Sequence, residues 1–194
     1  LCDCDDVELV LCDWGSEVKI TDAIELTKHK NFKCVYVNPE VCDKYNGESS
    51  YSIVHSLNAG FRNSSGRYVT FWNSDCFVPK ESFDSLYNFA KNMNETDDMK
   101  FYWASRYNIP YEDYCDFETC DEVNHYIESN QSLDRDPMSK STDEYFSGCG
   151  ASMLMNRILW ESSTGWWESL PYWGWQDIEF HHRLLTRYKY GGDF

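Results

Sequence analysis

The chain has 194 residues, enough for one domain with a core of its own, of which 42% are apolar and 26% charged. Its formal charge of -16 argues against nucleic acid and anionic lipid as partners, and it means that a phosphate-bearing substrate needs a bridging cation. No run of about 18 apolar residues is present and the first residues are acidic, so the expectation is a chain with neither a membrane span nor a targeting segment.

Val7 to Cys12 is an apolar run closed by Asp13-Trp14-Gly15-Ser16, a buried strand running into a polar loop. Thr21-Asp22 caps a helical pattern carrying Ile20, Ile24 and Leu26 to Lys30, and Lys33 to Val37 follows as a strand; strand, helix, strand implies a parallel βαβ unit. Ile53, Leu57 and Phe61 line one face of a helix from Ser49 to Phe61, and Arg67 to Trp72 is the next strand, ending at Asn73-Ser74-Asp75. A helix over Lys80 to Met93 and a strand over Lys100 to Ala104 continue the alternation expected of an α/β sheet with helical cover. From 106 to 146 the pattern fails: the stretch is polar, holds Pro110 and Pro137, and reads as an irregular flap on the acceptor side. A strand over Gly148 to Met155, a short helix over Ile158 to Glu161 and a helix over Asp177 to Tyr188 complete the chain.

Nine cysteines, an odd number without paired zinc spacing, read as reduced thiols and suggest a cytoplasmic protein, at most peripheral to a membrane. Three sequons, at Asn63, Asn94 and Asn130, arise at about the chance rate and do not establish secretion. In an open α/β sheet, ligands gather beyond the carboxyl ends of the strands, where Asp13 and Asp75 fall. By spacing alone, a capping or turn role for each remains the alternative.

Four segments in order carry a resemblance: Val7 to Ser16; Asn58-Ala59-Gly60 with Gly66-Arg67-Tyr68-Val69; Asn73-Ser74-Asp75; and Gly150 to Met153 with Trp173-Gly174-Trp175-Gln176-Asp177. Together they resemble GT-A-fold glycosyltransferases of the family 2 type, and the last segment is similar to the catalytic end of galactosyl- and N-acetylgalactosaminyltransferases. The resemblance implies one GT-A-like domain over 1–194, a Rossmann-like mixed sheet with helices on both faces, cut short at both ends and lacking the family's first strand. It also implies transfer of a monosaccharide from a nucleotide sugar, of UDP type, to a hydroxyl of a glycan or glycoconjugate, with inversion, in a setting such as polysaccharide biosynthesis.

The same resemblance implies roles for residues. Asp13 contacts the base or ribose of the donor, and Asn73 and Asp75 occupy the DxD position, with Asp75 as ligand to Mn²⁺ or Mg²⁺. Such a cation suits oxygen donors and neutralises the leaving diphosphate. Asn73 departs from the pattern by bringing no charge, and Leu57 stands where many members have an arginine, which leaves Arg62 or Arg67 to hold the pyrophosphate. Asp177 becomes the general base on the acceptor, preceded by Gln176 where the family has Glu. Trp166, Trp167, Trp173 and Trp175 offer indole faces to the acceptor sugar, some of them alternatively filling the core. His181 and His182 read as structural rather than as metal ligands. The rival function is a non-catalytic carbohydrate-binding or scaffolding domain; nucleotidyl transfer lacks its Gly-rich phosphate loop with a following Lys.

Overall fold

The computed structural model describes residues 4–23, 30–49, 51–73, 76–94, 99–104, 107–114, 117–130, 152–170 and 175–193. Among these residues the chain forms a mixed α/β structure. Strands β1 (Leu9–Trp14) and β2 (Phe32–Val37) pair in parallel, Leu9 opposite Phe32 and Trp14 opposite Val37, as the βαβ reading expects. Between them lies α1 (Ile20–Ala23), the described part of the expected helix; residues 24–29 of that helix lie outside the described residues. Helix α2 (Pro39–Tyr45) was not expected, although its signals are local: Asn38 caps it by accepting from the Glu40 N–H at 2.8 Å, and Pro39 opens it.

The second sheet has the order β3 (Tyr68–Thr70), β5 (Met153–Asn156), β4 (Lys100–Trp103), β6 (Lys189–Asp193). β5 runs antiparallel to both its neighbours, while β4 and β6 are parallel. Alternation along these strands divides the core in two. Val69, Phe101, Trp103, Met153 and Met155 face helices α3 (Ile53–Asn63), α7 (Arg157–Ser162) and α8 (Gln176–Arg187), which contribute Val54, Phe61, Leu159, Trp160, Phe180 and Leu184. Tyr68, Tyr102 and Leu154 face the other way, onto Leu86, Phe89 and Ala90 of α4 (Lys80–Asn92). Helices therefore cover both faces of this sheet.

Helix α3 sets the common direction of the parallel strands. Its His55 stacks on Trp14 at the end of β1, while Lys33 near the start of β2 donates to the Asn63 carbonyl at its other end. At that same end, Arg157 donates to the Phe61 and Gly66 carbonyls, just before β3 begins. β1 and β2 thus run against α3 and share one carboxyl end. In the second sheet β3, β4 and β6 share one direction, and His181 near the start of α8 packs on Trp103 at the end of β4.

Within 106–146, read from the sequence as irregular, two helices form among the described residues, α5 (Tyr111–Tyr114) and α6 (Cys120–Ser129). α6 has a capping box in which Glu122 N–H donates to Thr119 while the Glu122 carboxylate accepts from the Thr119 N–H. Residues 131–151 lie outside the described residues.

Candidate functional site

The candidate residues lie at the ends of strands and at the start of α8. Asp13, the penultimate residue of β1, is 1% exposed; its Oδ2 accepts from the Ile20 N–H at 2.9 Å, capping α1, while its Oδ1 is buried without a hydrogen-bond partner among the described residues. A carboxylate oxygen in that condition is costly unless something else supplies a donor. Gly15, at φ +79°, turns the chain directly after the strand, and a Cβ there would meet Cys42 Sγ at 3.0 Å. Trp14 donates from Nε1 to Asn46 Oδ1 at 2.8 Å and lies over His55, whose Nδ1 is 2.7 Å from Ser52 Oγ. Tyr45 and Tyr51, about half exposed, flank this aromatic wall.

The thiols around Asp13 are held protonated. Burial, then the neighbouring Cys42, Asp13 and Cys34, push the Cys12 thiol up to about 12, and burial raises Cys34 and Cys42 as well. None of the three offers a thiolate nucleophile at neutral pH. Burial also lowers His55, against the opposing pull of Glu168.

Asn73 stands three residues past the end of β3 and accepts through its carbonyl from the Cys76 N–H at 3.1 Å. Asp75 and Trp173 lie outside the described residues. Arg67 opens β3 at the end away from Asn73, its guanidinium 5.2 Å from the Tyr68 ring centre, so the strand separates these two rather than bringing them together. Among the described residues no three His, Cys, Asp or Glu side chains could hold a metal ion. A cation carried by one carboxylate and the substrate's own phosphates needs no such trio.

Asp177 lies in the first turn of α8, partly buried, with Oδ1 accepting from the Ile178 N–H at 2.9 Å and no partner for Oδ2 among the described residues. Gln176 beside it is 6% exposed, with its Oε1 unpaired among the described residues; an amide there avoids burying a second charge. One turn on, His181 is 2% exposed and packs against the Trp103 ring at 4.0 Å, and burial, then His182, lowers its pKa to about 4.

The tryptophans divide by burial. Trp166 is 2% exposed, packed on Phe71 and Phe180, and belongs to the core; Trp167 and Trp175 are 55% and 69% exposed. Trp175 precedes α8 with φ 68°, a left-handed conformation that costs an aromatic residue about 1–3 kcal/mol.

Sequence reasoning quoted Asn58 without giving it a role. Fully buried, it donates from Nδ2 to the Trp166 carbonyl at 2.8 Å and to Glu168 Oε1 at 2.9 Å, and accepts at Oδ1 from the Trp166 N–H at 2.9 Å. Arg62 reaches the same Glu168 oxygen at 2.8 Å. From the other side, Arg183 of α8 donates to the Ser163 carbonyl and, at 2.8 Å, to that of Gly165, and is steadied by Glu179. The turn at 163–166 is therefore clasped between α3, which borders Asp13, and α8, which carries Asp177. A buried asparagine with three correct partners leaves no periodic trace, and only its place in a recurring motif marked it.

The family model described as "Glycosyltransferase like family 2" matches residues 3–191 of this chain. No curated protein matches it.

Proposed function

The chain belongs to glycosyltransferase like family 2, and on that premise we propose that it transfers a monosaccharide from a UDP-type nucleotide sugar to a hydroxyl of a glycan or glycoconjugate, with inversion. Family 2 glycosyltransferases have the GT-A fold, and the mixed sheet with helices on both faces accords with it. The observation that supports the proposal is Asp13 at the end of β1, whose buried Oδ1 has no partner among the described residues, and Asp177 in the first turn of α8 joins it as the second carboxylate of this reading.

In this reading Asp13 receives donor hydroxyl or amide hydrogens at its unpaired Oδ1, and the aromatic wall of Trp14, His55 and Tyr51 borders the nucleoside. Asp177 accepts the proton of the acceptor hydroxyl. As that oxygen bonds to the anomeric carbon, the bond from carbon to the phosphate oxygen breaks, and its electron pair leaves with the nucleoside diphosphate on the opposite face. The oxygen donors of Asn73 and Asp75 suit Mn²⁺ or Mg²⁺, which when bound neutralises charge building on the departing diphosphate. Trp166, enclosed in the core, is left out of this reading, and Arg62 or Arg67, the latter just before β3, is left to hold the pyrophosphate. Trp167 and Trp175 border the acceptor in this reading, and Trp173, outside the described residues, is assigned the same role. No helix among the described residues is long and apolar enough to cross a membrane, and the reduced thiols at Cys12, Cys34, Cys42 and Cys120 favour a cytoplasmic setting.

The test is the melting temperature with and without UDP plus Mn²⁺. A ligand at a hundredfold excess over its dissociation constant adds about 2.7 kcal/mol, or about 5–11 °C for a chain of this size. The shift is expected in the wild-type protein and lost in Asp75→Ala. No shift in folded wild-type protein, together with glycan binding that needs neither metal nor nucleotide, would favour a non-catalytic carbohydrate-binding domain instead.

A further inference from the structure

Helix α6 is only lightly covered by the fold. Among the described residues it encloses a single side chain, Val123, yet its other apolar groups are not scattered over the surface. Phe117, just before the helix, and Tyr126 within it meet edge to face with ring centres 5.2 Å apart. Together they line an apolar groove of about 610 Å³, bordered by the exposed Asp121, Glu122, His125 and Ser129. Bonds within the protein fix this groove. Tyr126 donates to Asp113 Oδ2 at 2.6 Å, and the N–H groups of Glu118 and Thr119, both donating to the Glu122 carboxylate, hold that carboxyl below its ordinary range. Asp121, in contrast, makes no hydrogen bond or ion pair among the described residues.

Charge decides what such a groove accepts. From Tyr107 to Asn130 the chain carries seven carboxylates and neither lysine nor arginine, so the segment's own field is negative throughout. An anionic partner is repelled, and a wholly apolar one would strip water from the bordering carboxylates without replacing it. A sugar is a poor match too, because the Tyr126 hydroxyl and the Glu122 carboxylate are already bonded within the protein. Arginine or lysine satisfies both halves of the groove, since its methylene stem lies along apolar rings while its head meets aromatic faces and carboxylates. The ten residues of α6 run for about 15 Å, the span of four or five residues of an extended chain. We propose that the groove along α6 docks a basic, leucine-type amphipathic segment of a partner polypeptide, a cationic stem lying on Phe117 and Tyr126 and its head at Asp121. Charge complementarity of this kind steers encounter and rejects partners of the wrong sign. None of these residues belongs to the reading of Asp13 and Asp177, so the surface adds a protein partner whatever the donor and acceptor are.

Fluorescence anisotropy of the full chain with fluorescein-labelled peptides tests this, using alternating arginine and leucine, arginine and serine, and glutamate and leucine. The arginine–leucine peptide is expected to bind with a dissociation constant of about 10 μM or tighter, the arginine–serine peptide about tenfold or more weakly, and the glutamate–leucine peptide not at all. Asp121→Lys and Phe117→Ala each weaken the first peptide about tenfold. Both keep the wild-type melting temperature, because neither residue belongs to the core clusters. Glu81→Lys makes the same change of charge in the first turn of α4 and shifts binding by about twofold or less, which separates docking at the groove from attraction to net charge. No binding of the arginine–leucine peptide, equal binding of the arginine–serine peptide, or equal weakening by Asp121→Lys and Glu81→Lys would each overturn the proposal. Glucosamine oligomers binding more tightly than the peptide would overturn it in favour of an aminoglycan. Sedimentation of the wild-type protein as a dimer that Asp121→Lys dissociates would overturn it in favour of a second copy of this chain.

Discussion

His181 shows how a single enclosed side chain makes the protein sensitive to pH. Burial against Trp103, then the neighbouring His182, lowers it from the ordinary 6.5 to about 4. Above pH 6.5 the imidazole is neutral in both folded and unfolded chains and its packing is fully effective. As pH falls from 6.5 towards about 4, only the unfolded chain takes up the proton, so stability falls by at most about 1.4 kcal/mol per pH unit. Denaturant unfolding at pH 7, 6 and 5 should show this slope, and His181→Phe, which keeps a ring against Trp103, should reduce it. His55, also lowered by burial, leaves a residual slope of the same sign. A slope unchanged in His181→Phe would contradict the assignment. Asp13 makes the complementary point, since its position at the end of an apolar run was legible, whereas its cap to Ile20 and the unpaired second oxygen depend on a loop seven residues away.

At the level of elements, two glycines beside the same clasp should respond oppositely to alanine. Gly165 has φ +68°, and an added Cβ would lie 2.7 Å from Asn58 Oδ1 and 2.8 Å from the Trp160 ring. Gly165→Ala should therefore cost about 3 kcal/mol or more through strain and disturbance of the Asn58 bonds. Gly60, inside α3, has only Cys12 Cβ at 4.0 Å, an ordinary contact, so Gly60→Ala should stabilise by up to about 1 kcal/mol through helix propensity. Urea titration of both variants checks the pair, and equal signs would contradict the packing described. The elements whose period is strong were legible: α4 and α8 fall within a residue of their expected bounds, and β2 and β4 likewise. α2, α6 and β6 were missed for different reasons. α2 is seven residues with one buried side chain, Cys42; α6 is mostly polar; and β6, Lys-Tyr-Gly-Gly-Asp, owes its extended form to pairing with β4 rather than to β propensity. The antiparallel setting of β5 between parallel strands has no local signature either.

Across the whole molecule, the site is assembled by topology more than by proximity in sequence. Asp13 and Asp177 are separated by almost the entire chain, and the helices beside them, α3 and α8, are joined through Asn58, the 163–166 turn and Arg183. The motifs named the two carboxylates as candidates, but the clasp between their helices arises only on folding. A net charge of -16 makes a cation a natural intermediary for an anionic donor, as the proposed chemistry requires. The most direct measurement is the rate of UDP release from a panel of UDP-sugars with Mn²⁺ and pyranoside acceptors, comparing wild type with Asp177→Asn. Acceptor-dependent release that drops about a hundredfold or more in Asp177→Asn, with UDP binding unchanged, is the predicted result for a general base. Asp177→Asn releasing UDP at the wild-type rate would contradict the account.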